Sequence, residues 1–202
     1  MWLYHAFRPL AYAARPLVHG RLVGGEHLPA HGPVLLALNH ASFLDPWLVG
    51  MLLPRAPVRF LINEVWYRRS RVWRGVFDAF GVVPASEAAP QTTLDRVGEA
   101  LARGEIVAVF PEGRISADGS LGRPQLGLGW MAARSGAPVV PARLVGSHDV
   151  LPRQCRWPRR APVTLVLGVA RRFAEVQVER PEREHVARFV EAVWTDVRGL
   201  AA

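Results

Sequence analysis

The chain predicts an α/β fold, a single-domain mixed sheet flanked by helices. Short apolar runs bounded by Gly and Pro recur along it, and segments with helical spacing fall between them. Its 202 residues, half of them hydrophobic, are enough for one substantial core and short for two. Strands that alternate with helices place functional groups at strand ends.

The elements follow in order. Residues 21–23 and 33–38 form the first apolar runs, and 46–53 reads as helix. Residues 58–62 suit a strand, 66–80 a single helix and 81–84 a short strand. Leu94, Val97 and Leu101 give 92–103 a helical stripe that stops at Gly104, a residue suited to ending a helix. A strand at 106–110, a helix at 127–134 ending at Gly136, and strands at 138–145 and 163–169 come next. The last helix, 181–197, carries Val186, Phe189, Val190, Val193, Trp194 and Val197 on one face.

Residues 1–20 stand apart from the domain expected over 21–202. Trp2, Tyr4, Phe7 and Tyr12 alternate there with Arg8 and Arg15, which suits an amphipathic helical segment at a membrane interface or a helix packed on the core. The apolar stretches of the chain are broken by Pro, Gly and charge, so neither a signal peptide nor a spanning helix is expected. A peripheral protein at the cytoplasmic face of a membrane is the corresponding expectation.

All 25 basic residues are arginine, and the net charge is +8. Guanidinium groups bind phosphate through two parallel hydrogen bonds, so this balance favours nucleic acid, anionic lipid headgroups or an acidic carrier protein. Cys155 is the single cysteine, which excludes an intrachain disulfide and a cysteine metal site. A chain without lysine has no P-loop, and no GxSxG nucleophile elbow occurs. Gly127-Leu-Gly-Trp-Met-Ala132 imitates a dinucleotide fingerprint but lacks the strand that such a site requires.

Two motifs carry chemistry. Asn39-His40-Ala41-Ser42-Phe43-Leu44-Asp45 follows the run 33–38, so it sits at a strand end with Ser42 and Asp45 near the next helix. An aspartate five residues after a histidine can hold the imidazole Nδ1–H and leave Nε2 to accept a proton; equally, it can cap a helix beside a buried histidine. Phe110-Pro111-Glu112-Gly113-Arg114 follows the strand 106–110. Its proline and glycine make a turn expected to present Glu112 and Arg114 side by side, either as a phosphate site or as a surface ion pair.

Together and in this order, these motifs resemble the glycerolipid acyltransferases, with NHxxxxD at Asn39, His40 and Asp45 and FPEG at Phe110 to Gly113. Gly81-Val-Val-Pro84 and Gly136-Ala-Pro-Val-Val-Pro-Ala142 are similar to two further family segments. Arg114 sits one residue earlier than in the usual FPEG-Thr-Arg, Asn63 stands where many members carry lysine, and Ser86 where many carry arginine. The resemblance implies a glycerol-phosphate acyltransferase-like fold and a transfer needing no metal, no cofactor and no covalent enzyme intermediate. It implies an acyl donor, acyl-CoA or acyl carrier protein, and a lysophospholipid acceptor at an anionic membrane surface, 1-acylglycerol-3-phosphate first among them. His40 would be the base and Asp45 its orienter. Asn39, Ser42, Glu112, Gly113 and Arg114 would contact substrate, with Arg114 on the acceptor phosphate. For the oxyanion, a backbone N–H near the start of the helix after His40 is the candidate. A nucleic-acid binder would explain the charge but gives neither motif a task, so no nucleic-acid partner is expected. A non-catalytic membrane module would explain the charge and the N-terminus.

Overall fold

The computed structural model describes residues 18–55, 57–152, 154–173 and 181–201, together with Ala6 and Pro9. Most of the N-terminal segment expected over 1–20 therefore lies outside the described residues.

Seven strands form one sheet: β1 (Arg21–Val23), β2 (Val34–Leu38), β3 (Val58–Asn63), β4 (Val83–Ala85), β5 (Ile106–Val109), β6 (Val139–Val145) and β7 (Thr164–Leu167). Their order across the sheet is β1-β7-β6-β2-β5-β3-β4. The pairings among β2 to β6 are all parallel, whereas β7 runs antiparallel to β6 and β1 runs with β7. The sheet is thus mixed, as expected. Because β2 to β6 point the same way, their C-terminal ends share one edge, and β1 and β7 end on the opposite one.

The helices are α1 (Asp45–Leu52), α2 (Glu64–Arg68), α3 (Arg71–Phe80), α4 (Pro90–Ala102), α5 (Gly127–Ser135), α6 (Ser147–Val150) and α7 (Arg183–Gly199). Every residue of β2 is buried, because both faces of the sheet are covered and no position faces water. Val34, Leu36 and Leu38 pack with Leu48, Met51 and Leu52 of α1 on one face. On the other, Leu35 and Ala37 join Val97 and Leu101 of α4, Leu128 and Ala132 of α5, and Val186, Val190 and Val193 of α7. The alternation of strand side chains between faces thus divides five apolar residues between two core layers.

One expected helix is two. Ser70 interrupts 66–80 with an extended backbone, and its Oγ accepts from Trp73 N at 3.1 Å to cap α3. Serine competes for backbone amides more effectively than it supports a helix interior, and periodicity alone cannot register that. The one-turn α6 was not expected from the apolar pattern, being too short to show a repeat.

Gly24 ends β1 at φ +71°, and a Cβ there would lie 2.2 Å from the carbonyl oxygen of Leu167. Gly24→Ala should therefore destabilise the fold by about 1–3 kcal/mol through backbone strain and the clash. Ser70→Ala should lose about 1 kcal/mol through the missing cap. Urea midpoints of the two variants, at unchanged slope, test both values and their order.

Candidate active site

The site forms where β2 ends between its neighbours β5 and β6. His40 leaves β2 two residues beyond Leu38, and Glu112 leaves β5 three residues beyond Val109. Parallel pairing of Ala37 with Val109 places both departures at the same edge although they are far apart in sequence. The His40 N–H donates to Glu112 Oε1 at 3.1 Å, and the Ser116 N–H donates to the His40 carbonyl at 2.8 Å. The turn after β5 is thereby fastened to the backbone of the histidine from both sides.

His40 Nδ1 lies 2.8 Å from Asp45 Oδ2. An ionised carboxylate only accepts, so this contact places the ring proton on Nδ1 and leaves the lone pair on Nε2. Nε2 has no hydrogen-bond partner among the described residues, and the His40 side chain keeps 17% exposure while that of Asp45 has none. Asp45 Oδ2 also accepts from the N–H groups of Ala41 at 2.7 Å and Ser42 at 2.9 Å. Three donors on Oδ2 offset part of the cost of burying the carboxylate and fix it against the ring, while the buried Oδ1 has no partner among the described residues. Phe110 stacks on the His40 ring with centroids 4.1 Å apart and planes 18° apart, and Phe60 lies behind Phe110 at 6.3 Å. Carboxylate and aromatic wall together set both the position and the plane of the imidazole.

Of the residues expected to contact substrate, Asn39, Ser42, Glu112 and Gly113 have structural partners. Asn39 is buried and clamps β6: its Nδ2 donates to the Leu144 carbonyl at 3.1 Å, and its Oδ1 accepts from Leu144 N at 2.8 Å. Buried Ser42 donates from Oγ to the Leu151 carbonyl at 3.0 Å and accepts from Leu44 N at 3.2 Å. Gly113 adopts φ +68°, and its N–H closes the turn onto the Phe110 carbonyl at 3.0 Å. Glu112 is buried and does not stand beside Arg114. Its second oxygen accepts from Gly122 N at 3.0 Å, and Arg114 is exposed. The physical reason is that the amides of His40 and Gly122 offer the acid two bonds inside the fold, which a surface ion pair worth under about 1 kcal/mol does not match.

Burial pushes the Glu112 carboxyl above the ordinary glutamate range, opposed chiefly by the N–H bonds from His40 and Gly122. Ala41, Ser42, Leu44 and Asp45 all have committed amides, the last to the Ser42 carbonyl at 3.2 Å. The turn from 41 to 45 is thus left with Phe43 N–H as its uncommitted donor among the described residues. Sequence reasoning gave no role to Phe110 as the histidine's stacking partner, to Gly122 or to Leu144. The glycine was the one available signal, since a Cβ at Gly122 would sit 2.8 Å from Glu112 Oε2.

No group of three His, Cys, Asp or Glu side chains among the described residues is arranged to hold a metal ion. A cleft of about 530 Å³ opens beside α2, α3 and β4, lined by Tyr67, Arg68, Arg74, Asp78, Pro84 and Arg96 among others. A second of about 270 Å³ lies on the β6 side of the histidine, reaching Asn39, Ala41, Arg143 and His148.

The His40–Asp45 contact at a strand end has the geometry that the five-residue spacing allows, and the turn after the neighbouring strand is fastened to it through Glu112 in place of a Glu112–Arg114 pair. The chain belongs to the acyltransferase family, whose profile matches residues 20–145 and so spans the His40, Asp45 and Glu112 positions. It is 33% identical over 141 residues to the chloroplastic 1-acyl-sn-glycerol-3-phosphate acyltransferase BAT2 of Brassica napus, covering 68% of this chain and 40% of that protein. It is 32% identical over 141 residues to the chloroplastic 1-acyl-sn-glycerol-3-phosphate acyltransferase LPAT1 of Arabidopsis thaliana, covering 68% and 39%. The chain therefore spans about two fifths of the length of these curated relatives. The crystal structure of the 1-acyl-sn-glycerophosphate (LPA) acyltransferase PlsC from Thermotoga maritima shares the fold, with a TM-score of 0.72 at 22% identity over 99% of this chain and 81% of that one.

Glu112→Gln keeps the shape but replaces one acceptor oxygen with a donor, leaving the amide of either His40 or Gly122 unpaired. Stability should fall by about 1–3 kcal/mol and activity with it. The sign of its pH dependence is also fixed. A carboxyl raised on folding is held protonated more tightly in the folded state, so its contribution is present below the unfolded value and lost as pH rises through the folded one. Wild-type stability minus that of Glu112→Gln should decline with rising pH between the ordinary glutamate range and the raised value, measured from urea midpoints.

Proposed function

We propose that the chain transfers an acyl group from an acyl thioester, acyl-CoA or acyl carrier protein, to the free hydroxyl of a lysophospholipid. The acceptor is 1-acylglycerol-3-phosphate and the product phosphatidic acid, made in phospholipid biosynthesis at the cytoplasmic face of a membrane. The observation that supports this best is the His40–Asp45 pair at 2.8 Å with Nε2 left unpaired. The activity for which the Brassica napus and Arabidopsis thaliana relatives are named supports the choice of acceptor.

In this reading His40 Nε2 takes the proton of the acceptor hydroxyl as its oxygen attacks the thioester carbonyl. Asp45 holds the ring and stabilises the imidazolium that forms. The tetrahedral intermediate collapses as the C–S bond breaks and the ester C–O bond remains, and the proton passes from His40 to the departing thiolate. A thiolate leaves readily, so no separate strong acid is needed, and neither a metal nor a cofactor enters the scheme. Phe43 N–H is the amide that the first turn leaves for the oxyanion. Arg114, exposed beside the site turn, meets the acceptor phosphate.

Wild-type protein incubated with an acyl thioester and a panel of lysophospholipids should transfer the acyl group, and His40→Ala should lose about 10² to 10⁴ in rate. Wild type without transfer, or a mutant as fast as wild type, contradicts the reading. Arg114→Ala should raise KM for the acceptor more than KM for the donor. Equal effects would remove Arg114 from the phosphate.

A further inference from the structure

Among the described residues, the exposed large apolar side chains are unevenly placed. Phe43, Trp47, Val65, Trp66, Val72, Trp73 and Trp157 are exposed, and so are Val23 and Val169. The first seven lie on segments that follow the C-terminal ends of β2, β3 and β6, the edge where His40 sits. Val23 ends β1 and Val169 follows β7, the two strands that end on the opposite edge.

The α2–α3 hairpin is the centre of this rim. Neither helix contains a buried residue, although Val65 is 77% exposed, Val72 is 76% exposed, and Trp66 and Trp73 are more than half exposed. Such side chains normally supply a core. Four arginines accompany them, Arg68, Arg69, Arg71 and Arg74, all exposed, with the Arg69 guanidinium 4.9 Å from the Trp66 ring centre. Glu64 pairs with Arg68, and Tyr67 donates to Asp78, so the two acids of the hairpin are already engaged. Across the mouth, Trp157 is 78% exposed among exposed Arg156, Arg159 and Arg160. That segment joins the site through Ser42 Oγ, which donates to the Leu151 carbonyl.

We propose that this rim, α2–α3 together with Phe43, Trp47 and Trp157, is the face that docks on an anionic lipid bilayer, with the His40 edge turned toward the membrane. Tryptophan beside arginine is the pairing that rests at headgroup depth, where the ring is half in acyl chains and the guanidinium meets phosphate. Charge is complementary, because besides the Glu64–Arg68 pair the rim exposes six arginines, Arg69, Arg71, Arg74, Arg156, Arg159 and Arg160, each of which attracts an anionic surface within a Debye length. An acidic carrier protein would satisfy the arginines but not seven apolar side chains spread over three separate segments, which suits a planar partner better than one compact one. The inference rests on the lipid substrate assigned above and adds the orientation in which that substrate is met. It is separate from residues 1–20.

The test uses the full chain carrying Cys155→Ser and a single new cysteine labelled with an environment-sensitive fluorophore. The cysteine replaces Val65, Val72 or, as the control near the opposite edge, Ala102. Vesicles of phosphatidylcholine with phosphatidylglycerol should shift the label to the blue at 65 and 72, with brominated lipids quenching it, and leave 102 unchanged. Phosphatidylcholine alone should give a much weaker shift. Trp66→Ala/Trp73→Ala should bind the anionic vesicles about tenfold or more weakly. Co-sedimentation without a shift at 65 and 72, absence of vesicle binding, or a shift produced by acyl carrier protein and not by vesicles would each overturn the proposal. The same labels read in the His40→Ala background should respond as in wild type, so a failure of the transfer chemistry is distinguishable from a failure of docking.

Discussion

Everything at the site depends on β2 being hydrogen-bonded between two parallel partners, β5 and β6. Leu35 pairs with Val107 on one side and Val139 on the other, Leu36 with Ala108 and Val140, and the register runs on to Ala37 and Leu38. That single alignment brings Asn39 to Leu144 and His40 to Glu112, contacts that span 105 and 72 residues. Side chains alternate between faces, so a slip of one residue would send Leu36 and Leu38 to the wrong core layer and turn Asn39 away from β6. The burial of β2 on both faces is therefore what makes the position of the histidine exact enough for chemistry.

Two buried carboxylates then do different work within that frame. Asp45 gathers His40 Nδ1 and the amides of Ala41 and Ser42 on one oxygen, so one residue both orients the ring and closes the first turn of α1. Glu112 divides its oxygens between the amides of His40 and Gly122, binding β2 to the loop that leads into α5. Removing either acid would leave buried donors without acceptors, which costs more than the loss of an ordinary surface pair. The histidine is thus held from its ring by one acid and from its backbone by the other, with Phe110 as the wall between solvent-accessible chemistry and the core.

The alternation of apolar runs with helical stripes made the sheet and most of its helices legible, because burial on two faces leaves a dense signal in composition. The split at Ser70 was not, since a serine cap acts through one hydrogen bond that the apolar repeat does not encode. His40 and Asp45 were legible because their five-residue spacing is local: a strand end and a helix start suffice to bring them together. The destination of Glu112 was hidden because its partners are backbone amides 72 residues before it and 10 residues after it, and amides leave no mark in a sequence. Sequence adjacency to Arg114 suggests an ion pair, whereas Glu112 is buried on two backbone amides and Arg114 is exposed.

The same contrast explains why motif residues at such a site are mostly scaffold. A histidine at a strand end leaves the ladder of backbone bonds behind, and every amide from His40 to Asp45 except that of Phe43 finds a new acceptor within the fold. Glu112, Asp45 and Ser42 supply those acceptors, and Asn39 ties the last inward-facing position to β6. Polar side chains clustered around a histidine are thus required by the geometry of the strand end before any substrate arrives. What the scaffold leaves unsatisfied among the described residues is Nε2 of His40 and the amide of Phe43, with arginines exposed at the mouth. The charged side chains left exposed accordingly lie outside the buried constellation, while the constellation itself holds one nitrogen in place.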